Sequence, residues 1–330
     1  MSNWRVLWVA SVSLALLMPA PATANELGER WKIVRRVQKL VRARDYAGLS
    51  ALARRYRVTR ARTPSGTWKL AILHGSIRAA LPTPERERHC AFAAGKFLKR
   101  WRRATPHSPA PYVATGTLLL DRAWCYRGTK LAADTPPSVW PAYRRNVRQA
   151  SVLLSRHRKT ASRDPEFYAV MEDIFRAQPR DKEQARKLLR EASRRYPYYY
   201  GIYTHAYYDA MPQWGGSLEL MDEIGRYAVE RTRERDGVSA YARYYLSASV
   251  EGCECWKQSI DWAFMKDSML DLGKRWRNPW LYANFARVSC EMKDAETARY
   301  WFEELGEQPD SEVWSSSKAN RQACRTFAGY

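Results

Sequence analysis

The chain has 330 residues, 45% of them apolar and 13% aromatic, with 56 Lys/Arg against 34 Asp/Glu and a formal charge of +22. That composition excludes a disordered chain and is ample for one large or two ordinary domains. The charge is uneven: residues 25–160 hold 30 basic and 7 acidic side chains, net +23, whereas residues 161–330 hold 25 and 27.

The chain opens with the marks of an export signal: Arg5, an apolar run over 6–18, then Pro19, Pro21 and Ala22-Thr23-Ala24 before Asn25. About 13 apolar residues fall short of the roughly 20 that span a bilayer. We therefore expect a signal peptide over 1–24, cleaved after Ala24, and a soluble periplasmic or secreted product.

From there the 3.6-residue period dominates. Trp31, Val34, Val37 and Val41 share one helix face, and Tyr46, Leu49, Leu52 and Tyr56 another. Thr63-Pro64-Ser65-Gly66 interrupts the pattern before Trp68, Ile72 and Ile77 define a third helix. Thr83-Pro84-Glu85 reads as a helix start leading through Phe92 and Phe97 to about Trp101. Ser108-Pro109 opens a helix that ends near Arg127-Gly128. Helical patterns follow over 138–157, 165–177, 181–195 and 198–210, then, after Trp214-Gly215-Gly216, over 217–232, 238–250, 255–265, 279–292, 295–305 and 311–327. No alternating strand pattern stands beside them. The expected fold is all-α, a TPR-like antiparallel helix-pair array forming an α-α superhelix. It divides into a basic helical segment over 25–104 and a helical-repeat domain over 105–330.

A 34-residue offset supports the repeat. It superposes Trp280 on Trp314, Arg287 on Arg321 and Cys290 on Cys324, and 34 residues is the tetratricopeptide period. Within 282–309, Phe285-Ala286, Lys293-Asp294, Ala298, Phe302 and Pro309 stand at motif positions, with Lys293 in place of the usual turn glycine.

Four segments also resemble a bacterial family, domain of unknown function 4034. They are Ala123-Trp124-Cys125-Tyr126-Arg127-Gly128, Met211-Pro212-Gln213-Trp214-Gly215-Gly216-Ser217, the repeat over 284–306, and Val313-Trp314. The likeness covers about two thirds of the chain, from Trp101 onward. It implies a TPR-like helical fold and no known reaction, so no catalytic residue follows from it.

Six cysteines in an exported chain suggest disulfides. Cys90 and Cys125 lie on consecutive helices that would pack antiparallel about a turn near Pro106. Reflection through that turn brings Cys90 near Asp121, about one turn from Cys125. Cys290 and Cys324 hold equivalent places in neighbouring repeats and bond if both face inward. Cys253 and Cys255 remain. Their mutual pairing reads as strained, so a redox role for Cys253-Glu254-Cys255 stands beside a zinc site with Cys290 and Cys324. One-residue spacing is unusual for the latter.

The histidines at 74, 89, 107, 157 and 205 are scattered. There is no H-E-x-x-H, no G-x-S-x-G and no phosphate-cradling glycine loop. We assign no catalytic residue, metal or cofactor. Seven tyrosines lie between Tyr196 and Tyr208; they read as helix core, or alternatively as a groove floor with Tyr203 and Tyr207 exposed. Trp124, Arg127 and Trp214 complete the candidate binding set, although Arg127 also suits capping carbonyls or stacking on an aromatic, and the Trp214 segment suits a plain turn.

These features point first to a non-enzymatic scaffold holding a protein or peptide partner in the cell envelope. The alternative is a polyanion binder, of anionic lipid or wall polymer more than of nucleic acid, acting through the basic half. A third class is a glycan-cleaving enzyme with two carboxylates across a groove; the Glu-Ser pair usual in superhelical enzymes of that kind is absent.

Overall fold

A computed structural model describes residues 25–81, 90, 93–178, 182–250, 253–307, 313–314 and 320–330. The expected signal peptide and the helix start at 83–85 lie outside these residues.

Among the described residues there are 17 α-helices and no strand. They are α1 (Glu26–Arg42), α2 (Tyr46–Thr59), α3 (Lys69–Ala80), α4 (Ala93–Ala104), α5 (Ala110–Arg127), α6 (Trp140–Arg156), α7 (Arg158–Ala161), α8 (Glu166–Arg176) and α9 (Lys182–Arg195). Next come α10 (Gly201–Ala210), α11 (Leu218–Asp236), α12 (Ser239–Ala248), α13 (Trp256–Ser259), α14 (Trp262–Arg275), α15 (Pro279–Glu291), α16 (Ala295–Leu305) and α17 (Arg321–Phe327). Short polar side chains set many of the starts. Asn25, Asp45, Ser217, Asp261 and Asp294 each accept a hydrogen bond from the amide three residues on, satisfying a donor the helix itself leaves open.

Three local expectations change. The apolar face of α1 is Ile33, Val37 and Leu40, while Trp31 is half exposed. The pattern over 255–265 is two helices, because Asp261 caps a fresh start that runs on to Arg275. Lys293, at the turn between α15 and α16, adopts φ +59°. The tight turn is therefore kept despite the missing glycine, at a cost of about 1 kcal/mol.

The helices form two layers. An inner wall runs α3, α5, α8, α10, α12, α15, each packed on the next. Outer helices cover the other side of this wall, as α6 does on α5, α11 on α10 and α12, and α16 on α15. Small residues permit the close approaches. A Cβ on Gly116 of α5 would stand 2.8 Å from Leu154 of α6.

The two ends of the array meet. Arg30 of α1 lies 4.7 Å over the Trp280 ring of α15. Arg243 of α12 donates to the Ser65 carbonyl at 2.8 Å. The Ser65 amide donates to Glu26 at 2.8 Å, and this carboxylate is 2% exposed. Gly66 makes the turn at φ +83°, with Trp276 2.6 Å from where its Cβ would be. These contacts close the superhelix into a ring.

Three cysteine pairs stand at disulfide distance. Cys90–Cys125 and Cys290–Cys324 have Cα separations of 5.9 and 5.8 Å, as their spacing suggested, and the second ties α17 to α15. Cys253 and Cys255 also pair, at 5.2 Å between Cα atoms. This corrects the expectation that they stay apart: the chain turns at 253–255 just before α13 and brings both sulfurs to one side. Closing loops of about 35 residues constrains the unfolded chain by roughly 4 kcal/mol each, and a three-residue loop by less than half of that.

Gly66→Ala combines a strained φ with a clash at the seam. We expect a loss of about 2–4 kcal/mol in urea unfolding. Lys293→Gly should instead gain about 1 kcal/mol.

Candidate functional site

Closure of the ring encloses a cavity of about 510 Å³ at its centre. Each inner helix contributes one face to it. The i, i+4 and i, i+7 spacing of a helix is what aligns these side chains: His74 and Arg78 on α3, Glu166 and Asp173 on α8, Arg243 and Ser247 on α12, Trp280 and Asn284 on α15. Tyr199 and Tyr200 enter from the turn before α10, and Thr204 and His205 from its first turns. Trp68 enters from the start of α3 and Arg30 from α1.

Two His–Asp pairs stand in this wall. His74 Nε2 lies 3.1 Å from both carboxylate oxygens of the buried Asp164. His205 Nδ1 lies 2.9 Å from Asp173, which also accepts from Arg176 at 2.6 Å. Burial opposes charge on His205. The field of Asp173 and its hydrogen bond, with Glu166 beyond, outweigh that and raise the imidazole above its ordinary 6.5. His74 is raised in the same way, burial being overcome by Asp164 and then Glu166. Asp173 is held below its usual value, since His205 and Arg176 outweigh the effect of its own burial.

Between the pairs, Glu166 accepts from the Tyr199 hydroxyl at 2.6 Å. Burial pushes the Tyr200 hydroxyl up to about 12, eased by Arg243, so it stays protonated at neutral pH and donates a hydrogen bond to Asp236. Arg78 reaches from α3 to Asp121 of α5 through two hydrogen bonds, at 2.9 and 2.6 Å. The cavity thus offers cationic donors, carboxylates and the partly exposed rings of Tyr200 and Trp280, with Trp68 and Tyr199 buried in its wall. No group of three His, Cys, Asp or Glu side chains among the described residues could hold a metal ion.

The residues singled out by sequence lie elsewhere. Trp124, Arg127 and Trp214 do come together: the Trp124 and Trp214 rings are 6.0 Å apart, and Arg127 stacks on Trp124 at 5.3 Å. Arg127 also donates to the carbonyls of Gly128 and Lys130, at 3.1 and 2.6 Å, the capping and stacking role. Tyr203 and Tyr207 are 1% and 0% exposed, so the groove reading of these two gives way to core packing. Tyr203 bonds the Pro197 carbonyl at 3.0 Å, and Tyr207 packs edge-on against Tyr244. The tyrosines of that run that reach the cavity are Tyr199, Tyr200 and no member of the expected pair. Ring closure selects them, and no local pattern separates them from their neighbours.

No protein-family model matches the chain, and no curated protein or solved structure is similar to it.

A histidine whose pKa is raised by folding stabilises the fold below about pH 6.5, and that contribution is lost as pH rises through its folded value. We therefore expect stability to decline on going alkaline through the raised His74 and His205 values. In Asp173→Asn burial, the largest cause, is opposed only by the field of Glu166, so the His205 titration followed by NMR should fall below 6.5. An unchanged titration would remove Asp173 as the cause.

Proposed function

We propose that the chain is an exported, non-enzymatic helical-repeat protein, TPR-like in the sense of the family it resembles, that serves as an interaction scaffold in the cell envelope. The partner is a protein or peptide, and the central cavity takes a short peptide segment or chain end. One observation carries this reading: all six inner helices, α1 and the turn before α10 give polar and aromatic side chains to a single enclosure. The partly exposed flat rings of Trp280 and Tyr200 suit an apolar side chain. Carboxylates and guanidinium groups side by side suit a backbone end and its neighbouring charges. The export-type start of the chain, the disulfide pairs and the lack of any helix long and apolar enough to cross a membrane among the described residues support an envelope or secreted location.

Gly75 provides a direct test. It lines the cavity, and a Cβ there meets nothing within 4 Å. Gly75→Phe should fill the cavity with the fold intact, because glycine within a helix is itself unfavourable by about 0.5–1 kcal/mol. We expect crosslinking capture of partner peptides from intact cells to drop at least tenfold, with an unchanged or higher Tm. Capture at the level of the unaltered protein would sink the cavity reading.

A second reading rests on a separate observation. Lys96, Lys99, Arg100 and Arg103 on α4, and Arg144, Arg145, Arg148 and Arg156 on α6, are exposed. None has an ion pair with an acidic group among the described residues. Such a face attracts anionic lipid or wall polymer, with an affinity that screening weakens. Binding to anionic vesicles should fall steeply between 50 and 500 mM salt, and Arg144→Glu with Arg148→Glu should abolish it. Salt-independent binding would rule the face out.

A further inference from the structure

The three disulfides do different mechanical work. Cys90–Cys125 and Cys290–Cys324 close loops of 35 and 34 residues and tie separate parts of the chain together. Cys253–Cys255 spans two residues and joins no two elements. A bridge that short constrains the unfolded chain least, so bracing the fold does not account for it. Both of its cysteines are half-buried, as are Cys90, Cys125 and Cys290, so its short span, and not its exposure, sets it apart.

The two sulfurs are also unequal. The Cys255 amide donates to Cys253 Sγ at 3.2 Å. A hydrogen bond to sulfur favours the thiolate over the thiol and makes that sulfur the better leaving group. The motif's own carboxylate, Glu254, is engaged by the Lys257 ammonium, so its charge is offset where a thiolate would form. The residues on the page therefore supply an accessible sulfur to attack, a stabilised sulfur to depart and a neutralised neighbour.

We propose that Cys253–Cys255 is a thiol–disulfide exchange site that oxidises thiols of exported polypeptides. The thiolate of a substrate cysteine attacks Cys255 Sγ. A substrate–Cys255 disulfide forms, the Cys253–Cys255 bond breaks, and the electron pair leaves on Cys253 Sγ, which keeps the amide hydrogen bond. A second substrate thiolate then attacks the substrate sulfur of the mixed disulfide. The substrate disulfide forms and Cys255 departs as a thiolate. Two substrate thiols lose two electrons and two protons in all, and the Cys253/Cys255 pair is left as a dithiol. Turnover beyond one equivalent requires a disulfide-bearing oxidant to restore the pair. The exchange does not depend on the central cavity, and it adds a redox activity that the non-enzymatic scaffold reading above does not include.

The test uses the full oxidised protein without air. It is mixed separately with reduced glutathione and with a synthetic peptide bearing two cysteines, acid-quenched, alkylated and mapped by mass spectrometry. We expect Cys253–Cys255 to open while the other two pairs stay closed. The early adduct should sit on Cys255 in several-fold excess over Cys253. One equivalent of protein should yield one equivalent of oxidised peptide, faster than glutathione reacts. Cys253→Ala with Cys255→Ala should lose all peptide oxidation while keeping its Tm within a few degrees, and Gly75→Phe should oxidise the peptide normally. Opening of the pair no sooner than the other two, or an adduct shared evenly by both sulfurs, overturns the proposal. Oxidation of glutathione alone, with the peptide untouched, overturns the polypeptide as substrate.

Discussion

One buried cation holds the two ends of this chain together. Arg243 is 9% exposed, and burial lowers its pKa, yet an arginine remains charged far above neutral pH. It satisfies that charge by donating to Ser65 at 2.8 Å and by lying 5.1 Å over Tyr200 and 5.9 Å over Trp276. The residues it joins are 178 positions apart. Ser65 in turn binds Glu26, so a buried cation and a buried anion are bridged by one backbone unit. Removing Arg243 would leave the Ser65 carbonyl without its donor in the seam, whereas Glu26 would keep its ion pair with Arg30 at 2.6 Å. An array of helix pairs has no intrinsic reason to close, since each pair contacts only its neighbours. This seam supplies the reason.

Closure changes what the concave face can do. In an open superhelix the inner wall is a long groove that takes an extended partner. Here α1 and the loop before α3 stand across it, and the wall surrounds about 510 Å³. The charged groups inside are already organised before anything binds. Glu166 is held by Tyr199, Asp173 by His205 and Arg176, and Arg78 by Asp121. A guest therefore meets fixed dipoles and rings, and loses little to reorganisation of the wall. The exposed cations of α4 and α6 lie on elements of the outer layer or its edge. Any attraction of a polyanion and any occupancy of the cavity would thus use different surfaces of one molecule.

Much of the helical framework was legible because amphipathic periodicity and capping are local. Gly128 marks its helix end in the sequence and caps it in the structure, and the pattern that resumes at 217 starts on the N-cap Ser217. The spacing of Cys90 with Cys125 and of Cys290 with Cys324 pointed to pairs that the structure shows, although Asn320 starts a new helix between Trp314 and Cys324 where the 34-residue offset predicts one continuous helix. The pattern failed where one residue decided the outcome. Asp261 ends one helix and starts another within an unbroken apolar rhythm, and Trp31 sits at the edge of its helix face, where a small rotation about the axis exposes it.

The site followed the opposite rule. Trp124, Arg127 and Trp214 were conspicuous as residue types and do cluster, but at the end of α5, away from the cavity. His74, Glu166, Asp173, His205 and Arg243 are unremarkable where they stand in the chain, polar residues among several others on their helices. The sequence by itself determined which segments are helices, where several of them start and which cysteines of neighbouring segments meet, because these follow from contacts within a helix or between helices close in the chain. Only the tertiary structure decided that the array closes, that Tyr199 and Tyr200 face inward while Tyr203 and Tyr207 are buried, and that five scattered polar residues share one chamber. Those outcomes depend on the summed rotation of every helix pair in the ring, a quantity carried by no single stretch of residues.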